Sequence, residues 1–499
     1  MLPGRVYVQH TRQASYPSEL ENYSPSKEYP EYPFEYIATC PNVVYGMVRS
    51  VFFDMGLDIG HYGTPQWNPL GEIIKKGEVV VIKPNMVMDS HGCGGSMDCL
   101  ITHGSVIRAA LDYVYIALGG TGRVILGDAP LQKCDFGRVT ALNGADRILQ
   151  FYRDNANLDV ELVDFRLERA IIRGGEGSRS RRIIAKDALP GDRRGYTVVN
   201  LGKRSLLDEI SCDYEKFRVT NYDPRQMLQH HNRETHEYLI PNSLLQADVV
   251  INLPKIKTHR KAGLTACLKN LVGINGQKDW LPHHRRGSCQ EGGDEYPFRN
   301  ALRSAEVGIT ERIDALSKRK NQAALRFPLR ALRRALSCGA RLTERSGIRE
   351  GSWFGNDTVW RTVLDLNRIL LYSGKEGGFE RSKQREVLHL ADGIVVGEGE
   401  GPLAPAPKAA GILVAGRDPV ATDAVIAKLL GFDYEAIPLL ARAWRIEDRP
   451  LTDLTPGDVA MSSNDEDWDG AGLCSRITGI PVEPPRGWKG HIEAADFNV

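Results

Sequence analysis

The densest chemistry in the sequence lies between Ala247 and Gly287, in ADVVINLPKIKTHRKAGLTACLKNLVGINGQKDWLPHHRRG. An apolar strand pattern ends at Pro254, and Lys255, Lys257, His259, Arg260 and Lys261 follow at once in what reads as a loop. Lys269, Lys278, His283, His284, Arg285 and Arg286 come next, so that eight lysines and arginines stand against one acid, Asp279, between 251 and 290. Cations gathered in this way bind phosphate or carboxylate through charge-assisted hydrogen bonds. Histidines among them supply a base or a metal ligand, because neutral imidazole persists near physiological pH. His259 and Lys269 are therefore candidate catalytic groups, Lys255 and Lys257 candidate substrate ligands, and His283 and His284 candidate metal ligands. The plainer reading is a set of solvated loop charges paired with acids elsewhere.

Ligands of parallel sheets sit beyond the C-terminal strand ends, and three further strand ends carry polar groups. Lys83-Pro84-Asn85 closes one, which makes Lys83 and Asn85 candidate substrate ligands. Gly127-Asp128 closes another and adds Asp128 as a candidate catalytic carboxylate. The third is the loop Gly397-Glu398-Gly399-Glu400-Gly401-Pro402. Its glycines let backbone approach a ligand, and Glu398 and Glu400 can bind a cation or accept a proton, or form no more than an acidic turn. Asp418 reads as a helix cap, and Asp423, one turn on, as a surface charge or a site residue. His230, His231 and His236 form a weaker metal candidate, whereas His10, His61 and His491 read as structural. Walker-type phosphate loops, GxGxxG, HExxH and GxSxG are absent, and Gly119-Gly120-Thr121-Gly122 follows a helix instead of a strand, so it is a turn.

The elements that position these groups follow an α/β pattern. Short β-branched runs at Glu78–Pro84, Arg123–Leu126, Asp159–Asp164 and Asp248–Leu253 predict buried strands. Helical spacing between them, with Thr102 as a cap and Gly119 as a stop, predicts crossovers and a mainly parallel, doubly wound, Rossmann-like sheet. Residues 1–75 read as an irregular arm with a helix near Val43–Met55, and 76–300 as the core that carries the site. Residues 301–385 form a basic helical insertion containing Lys318, Arg319, Lys320, Arg326, Arg330, Arg333, Arg334, Arg341 and Arg345. A helix over Thr358–Ser373 capped by Asn356 or Asp357 closes that insertion. A smaller α/β lobe and tail occupy 386–499, with strands at Glu386–Leu390 and Gly411–Ala415 and an extended, loop-like end.

Bulk properties exclude several classes. Among 499 residues, 64 Lys and Arg balance 63 Asp and Glu, so no global charge draws the chain to nucleic acid or anionic membranes. Nine single cysteines without a Cys-x-x-Cys pair suit reduced thiols in the cytoplasm and carry no ferredoxin-type iron–sulfur motif. The first ten residues lack a signal-peptide core, and no apolar run reaches the ~18 residues of a transmembrane segment.

Lys83-Pro84-Asn85, Gly127-Asp128, ADVVINLPKIKTH with CLKNLVG, GNDTVWRTVLDLNRIL, DGIVVGEGEGP and DPVATDAV together resemble the domain-of-unknown-function 362 family, from about residue 76 to 440. Many of its members carry an added ferredoxin-like motif that this chain lacks. The order His259, Lys269, then His283 or His284 also looks like that of nickel-pincer racemases of the lactate racemase type. That resemblance implies a cofactor bonded to Lys269 and a nickel ligand at His283 or His284. Those enzymes place a histidine after the second strand, where this chain has Gly127-Asp128-Ala129. The expectation is thus an enzyme for a small anionic substrate, with a divalent metal or nickel-pincer-like cofactor as a possible addition. The alternative is a non-catalytic scaffold docking an acidic partner.

Overall fold

The computed structural model describes residues 4–17, 22–173, 182–219, 224–317, 323–343 and 348–495. Lys318, Arg319, Lys320 and Arg345 of the basic insertion lie outside the described residues. The centre is a ten-stranded, mostly parallel sheet. Its strands are β1 (Arg5–His10), β2 (Val79–Pro84), β3 (Arg123–Asp128), β4 (Asp159–Asp164), β5 (Val249–Leu253), β6 (Lys255–His259), β7 (Gly263–Thr265), β8 (Glu386–Glu400), β9 (Ala404–Gly416) and β10 (Ala460–Ser463). The order is β10-β1-β9-β8-β5-β2-β3-β4, and β6 pairs with β7 and with β8.

Both faces of the sheet are covered, which explains the unbroken apolar runs. Side chains alternate along a strand. Val80, Ile82, Val124, Leu126, Val249 and Ile251 enter one core, with helices α1 (Val43–Asp54), α2 (Gly104–Leu118) and α3 (Ala145–Asn155). Val81, Ile125 and Val250 enter the other, with α6 (Val359–Tyr372) and α7 (Pro419–Leu429). In chain order between α3 and α6, α4 (Ala301–Ser317) and α5 (Ala323–Thr343) pack on each other.

Several local expectations need correction. Residues 5–10, read as part of an irregular arm, form β1, and β10 in the loop-like tail pairs parallel with it. The Gly397–Pro402 loop lies at the turn of a long antiparallel hairpin of β8 and β9. Thr102 is not the cap of α2; His103 is, with its Nδ1 accepting from the Ser105 N–H at 3.2 Å. Thr102 instead donates to the Leu253 carbonyl at 2.6 Å and accepts from the Asn85 N–H, tying β5 to the end of β2. The Asn356 side chain does serve α6, accepting from the Val359 N–H at 2.9 Å.

Candidate active site: a buried lysine cluster

The chain does not leave the sheet at Pro254. It continues as β6, where Lys255, Lys257 and His259 fall at alternate positions, with Ile256 between them in the core. A register shift between Lys255 and Lys257 against β8 re-aims these side chains, as bulges do. Gly397 lies opposite Lys257 because a Cβ there would approach the Lys257 Cβ to 2.8 Å. Every basic group of this strand is buried.

Two of the lysines sit in internal ion pairs. Lys83 Nζ lies 2.8 Å from Asp128, whose carboxylate also accepts from the Met86 and Ala129 N–H groups. Lys255 Nζ lies 3.1 Å from Asp392 and also donates to the Tyr16 hydroxyl. Tyr16 donates to Asp392 at 2.6 Å and stacks on His103 at 3.9 Å. Tyr16 and His103 both line a cavity of about 440 Å³ together with Asp98 and Tyr23. Burying a cation without such a partner is costly, so the two aspartates are what allow these two lysines inside.

The other lysines are handled differently. Lys257 donates to the Leu100 carbonyl and, at 3.1 Å, to Asn85 Oδ1, and Lys278 donates to the Val272 carbonyl at 3.1 Å. Lys269 has no hydrogen-bond acceptor among the described residues, yet it is only 8% exposed. None of the three has a carboxylate partner there. Burial, with repulsion from Lys255 and Lys269, pulls Lys257 down to about 7. Burial, with repulsion from Lys261 and Lys83, does the same to Lys269, also to about 7. Lys278 is drawn down to about 7 and Lys261 to about 8, burial dominating in both.

The histidines are held neutral by burial and by these cations. His259 and His283 are both depressed well below the ordinary imidazole range, by burial first and Lys269 next. His259 Nδ1 accepts from the Lys261 and Ala262 N–H groups at 3.1 and 3.2 Å, which leaves the proton on Nε2 as a donor. His283 Nδ1 lies 2.7 Å from the Leu281 carbonyl, which fixes the opposite tautomer and leaves Nε2 as a base. His284 Nδ1 is buried with no hydrogen-bond partner.

Lys269 rides on the turn Cys267–Asn270, and Asp423 of α7 accepts from its first two N–H groups, Cys267 at 2.7 Å and Leu268 at 3.0 Å. Asp423 is thus buried scaffold for the site, its carboxyl raised by burial to about 7. Asp418 caps α7 through the Val420 and Ala421 N–H groups. A ladder of amides backs the lysines: Asn85 donates to Asn270 at 2.9 Å, Asn270 to Asn252 at 2.8 Å, and Asn252 to the Cys267 carbonyl at 3.0 Å. Gly273 completes the wall, since a Cβ there would come within 2.0 Å of Asp128 and 2.6 Å of Lys83 Nζ.

The structure therefore brings Lys83, Asn85, Asp128, Lys257, His259, Lys269 and His283 into one electrostatically coupled region. It sets Glu398 and Glu400 apart from that region, where they accept from the Glu483 and Arg486 N–H groups and hold the C-terminal segment. The histidine group at 230–236 knits a loop instead of forming a metal centre. His231 and His236 face each other at 3.3 Å, and their outer nitrogens meet the Trp280 carbonyl and the Ser211 hydroxyl. His230 pairs with Glu237. Among the described residues no three His, Cys, Asp or Glu side chains stand together as a metal donor set. His283 and His284 belong to no such set. Sequence reasoning missed Tyr16, Asn252, Asn270 and Gly273. Asn252, a polar side chain inside the run DVVINL, was the available signal, because a buried amide needs a built partner.

No curated protein matches the chain. Among solved structures, a Thermotoga maritima protein from a structural genomics consortium is similar at 9% identity and a TM-score of 0.30, covering 73% of this chain. This chain spans 54%, about half, of that one. The family model described as "Domain of unknown function (DUF362)" matches residues 191–428, which contain β5 to β8, the turn bearing Lys269 and Asp423. Over those residues the chain is similar to the DUF362 family.

Proposed function

We propose that the chain is an enzyme acting on a small anionic substrate, one bearing phosphate or carboxylate, bound in the buried lysine cluster. The observation that carries this reading is the company of Lys257, Lys269 and Lys278, all buried and none with a carboxylate partner among the described residues. Uncompensated buried cations are destabilising, so a fold that retains several of them side by side has a use for them. A bound anion supplies the missing charge, and the neutral His259 and His283 supply a donor and a base beside it. A scaffold that docks an acidic partner calls for exposed cations, and these are interior. For the same reason the partner is a small molecule and not nucleic acid. The nine cysteines are all free thiols, which supports the cytoplasm as the working compartment. No helix of the described residues is long and apolar enough to cross a membrane.

The test is thermal denaturation at constant ionic strength with inorganic phosphate, citrate or chloride. A ligand that binds only the folded state raises the midpoint with concentration. Phosphate or citrate is expected to raise it beyond the chloride control, and Lys278→Met to remove most of that rise. Equal midpoints in all three salts overturn the reading.

A further inference from the structure

We infer that Lys269 is an amine nucleophile that forms a Schiff base with a carbonyl carbon of the substrate, which makes the substrate class carbonyl acids or carbonyl phosphates. The inference rests on the anionic-substrate reading above and assigns its chemistry. The geometry carries it. Lys269 lies on a rigid turn pinned at its N-terminus by Asp423, and no acceptor among the described residues occupies its Nζ. It nevertheless retains residual exposure, whereas Lys83 and Lys257 have none. A lysine built only to hold the fold together is paired, as Lys83 is with Asp128 and Lys255 with Asp392.

The groups that act on Lys269 are nearly all cationic or neutral. Lys261 and Lys83 repel its ammonium, and Lys257, Lys278, His259 and His283 are coupled to it in turn. Asp128, the acid that acts on Lys257 and Lys278, is already engaged by Lys83. Desolvation beside other cations is the arrangement that activates lysine as a nucleophile. At pH 7 about half of Lys269 is the free amine, roughly a thousandfold more than for an ordinary lysine near 10.4.

The step balances without any further reagent. The Nζ lone pair bonds to the carbonyl carbon, and the C=O π electrons move to oxygen, giving a carbinolamine after proton transfer. The carbonyl oxygen then leaves with the two amine protons as water, and the C=N bond remains. His259 Nε2–H is the donor available to the developing hydroxyl, and His283 Nε2 is the acceptor available to the amine proton. Lys278, whose ammonium spends one donor on the Val272 carbonyl, is the cation for the anionic group of the substrate.

The experiment is reductive trapping of the full chain with sodium cyanoborohydride and either pyruvate or dihydroxyacetone phosphate, read by intact mass and peptide mapping. One adduct is expected, of the probe's mass less one oxygen, on the peptide carrying Lys269. Its rate is expected to be half-maximal near pH 7, and Lys269→Met is expected to abolish it. Mapping of the unmodified chain decides the matter even if the variant fails to fold. Adducts spread over surface lysines, or none, overturn the inference. If phosphate still raises the melting midpoint while no adduct forms, the nucleophile assignment alone falls. If neither occurs, the anion-site reading falls with it.

Discussion

Two stretches of this chain are strongly basic, and the fold treats them in opposite ways. Residues 255–286 bury Lys255, Lys257, Lys261, Lys269 and Lys278. Residues 323–343 form a helix on which Arg334 is exposed and the neighbouring Phe327 is 79% exposed. Water satisfies Arg334 at little cost, while Arg330 and Arg333 are half-buried. The first group requires Asp392, the asparagine ladder and backbone carbonyls, and still leaves Lys257, Lys269 and Lys278 without a countercharge among the described residues. Positive charge alone therefore says little about a site. Charge on a segment that its apolar neighbours, such as Ile256 and Leu264, drive into the core says a great deal.

That contrast is broken most directly at the Lys83–Asp128 pair. Asp128→Asn leaves a buried ammonium without its anion, and the expected loss is about 3–5 kcal/mol in urea or guanidinium denaturation. A loss below about 1 kcal/mol, the size of an exposed pair, would place the interior lysines on the same footing as the surface ones. Gly273→Ala acts on the same pair by volume. Its Cβ would lie 2.0 Å from Asp128 and force the wall to move, at an expected cost of about 1–3 kcal/mol. Wild-type stability in that variant would mean that the site wall yields, and that the lysine cluster is less rigid than the ion pairs imply.

How much of this was legible in the sequence depends on range. The strands β2, β3 and β5 were readable because both faces are buried and the apolar runs are continuous, whereas β4 is a half-buried edge strand. The alternation in KIKTH was also visible, but a proline before it and three basic residues within it read as a loop. Only pairing with β8, more than a hundred residues later, makes it a strand. The long hairpin of β8 and β9 was masked by the glycines and prolines that permit its bulges. Lys269 and Asp128 were picked out individually. Whether a given lysine is paired was not readable, because Asp392 and Lys255 or Asp128 and Lys83 meet only through the sheet order.

The pH dependence of stability sharpens the comparison further. Lys257 ionises at about 7 when folded and at about 10.5 when exposed. Below pH 7 both states carry the proton and the penalty of burying it is complete. Between pH 7 and 10.5 the folded state has released the proton and the unfolded state has not, so stability rises with pH across that window. Lys269 and Lys278 act in the same direction from about 7. Chemical denaturation in chloride buffer from pH 7 to 9 is expected to show this rise, and Lys257→Met to remove up to about 1 kcal/mol per pH unit of it. A flat profile would show that an unseen countercharge already compensates the cluster.

The smallest effect belongs to the exposed helix. Arg334 is solvated, so Arg334→Ala gives up little more than a surface charge and should change stability by no more than about 0.5 kcal/mol, with no change in the pH slope. The measurement is the denaturation midpoint beside that of Asp128→Asn under identical conditions. If Arg334→Ala instead costs more than about 1 kcal/mol, the guanidinium is engaged with the body of the protein. The basic helix would then belong with the interior cluster as a part of the site's surroundings, and the opposition between the two basic regions would fail.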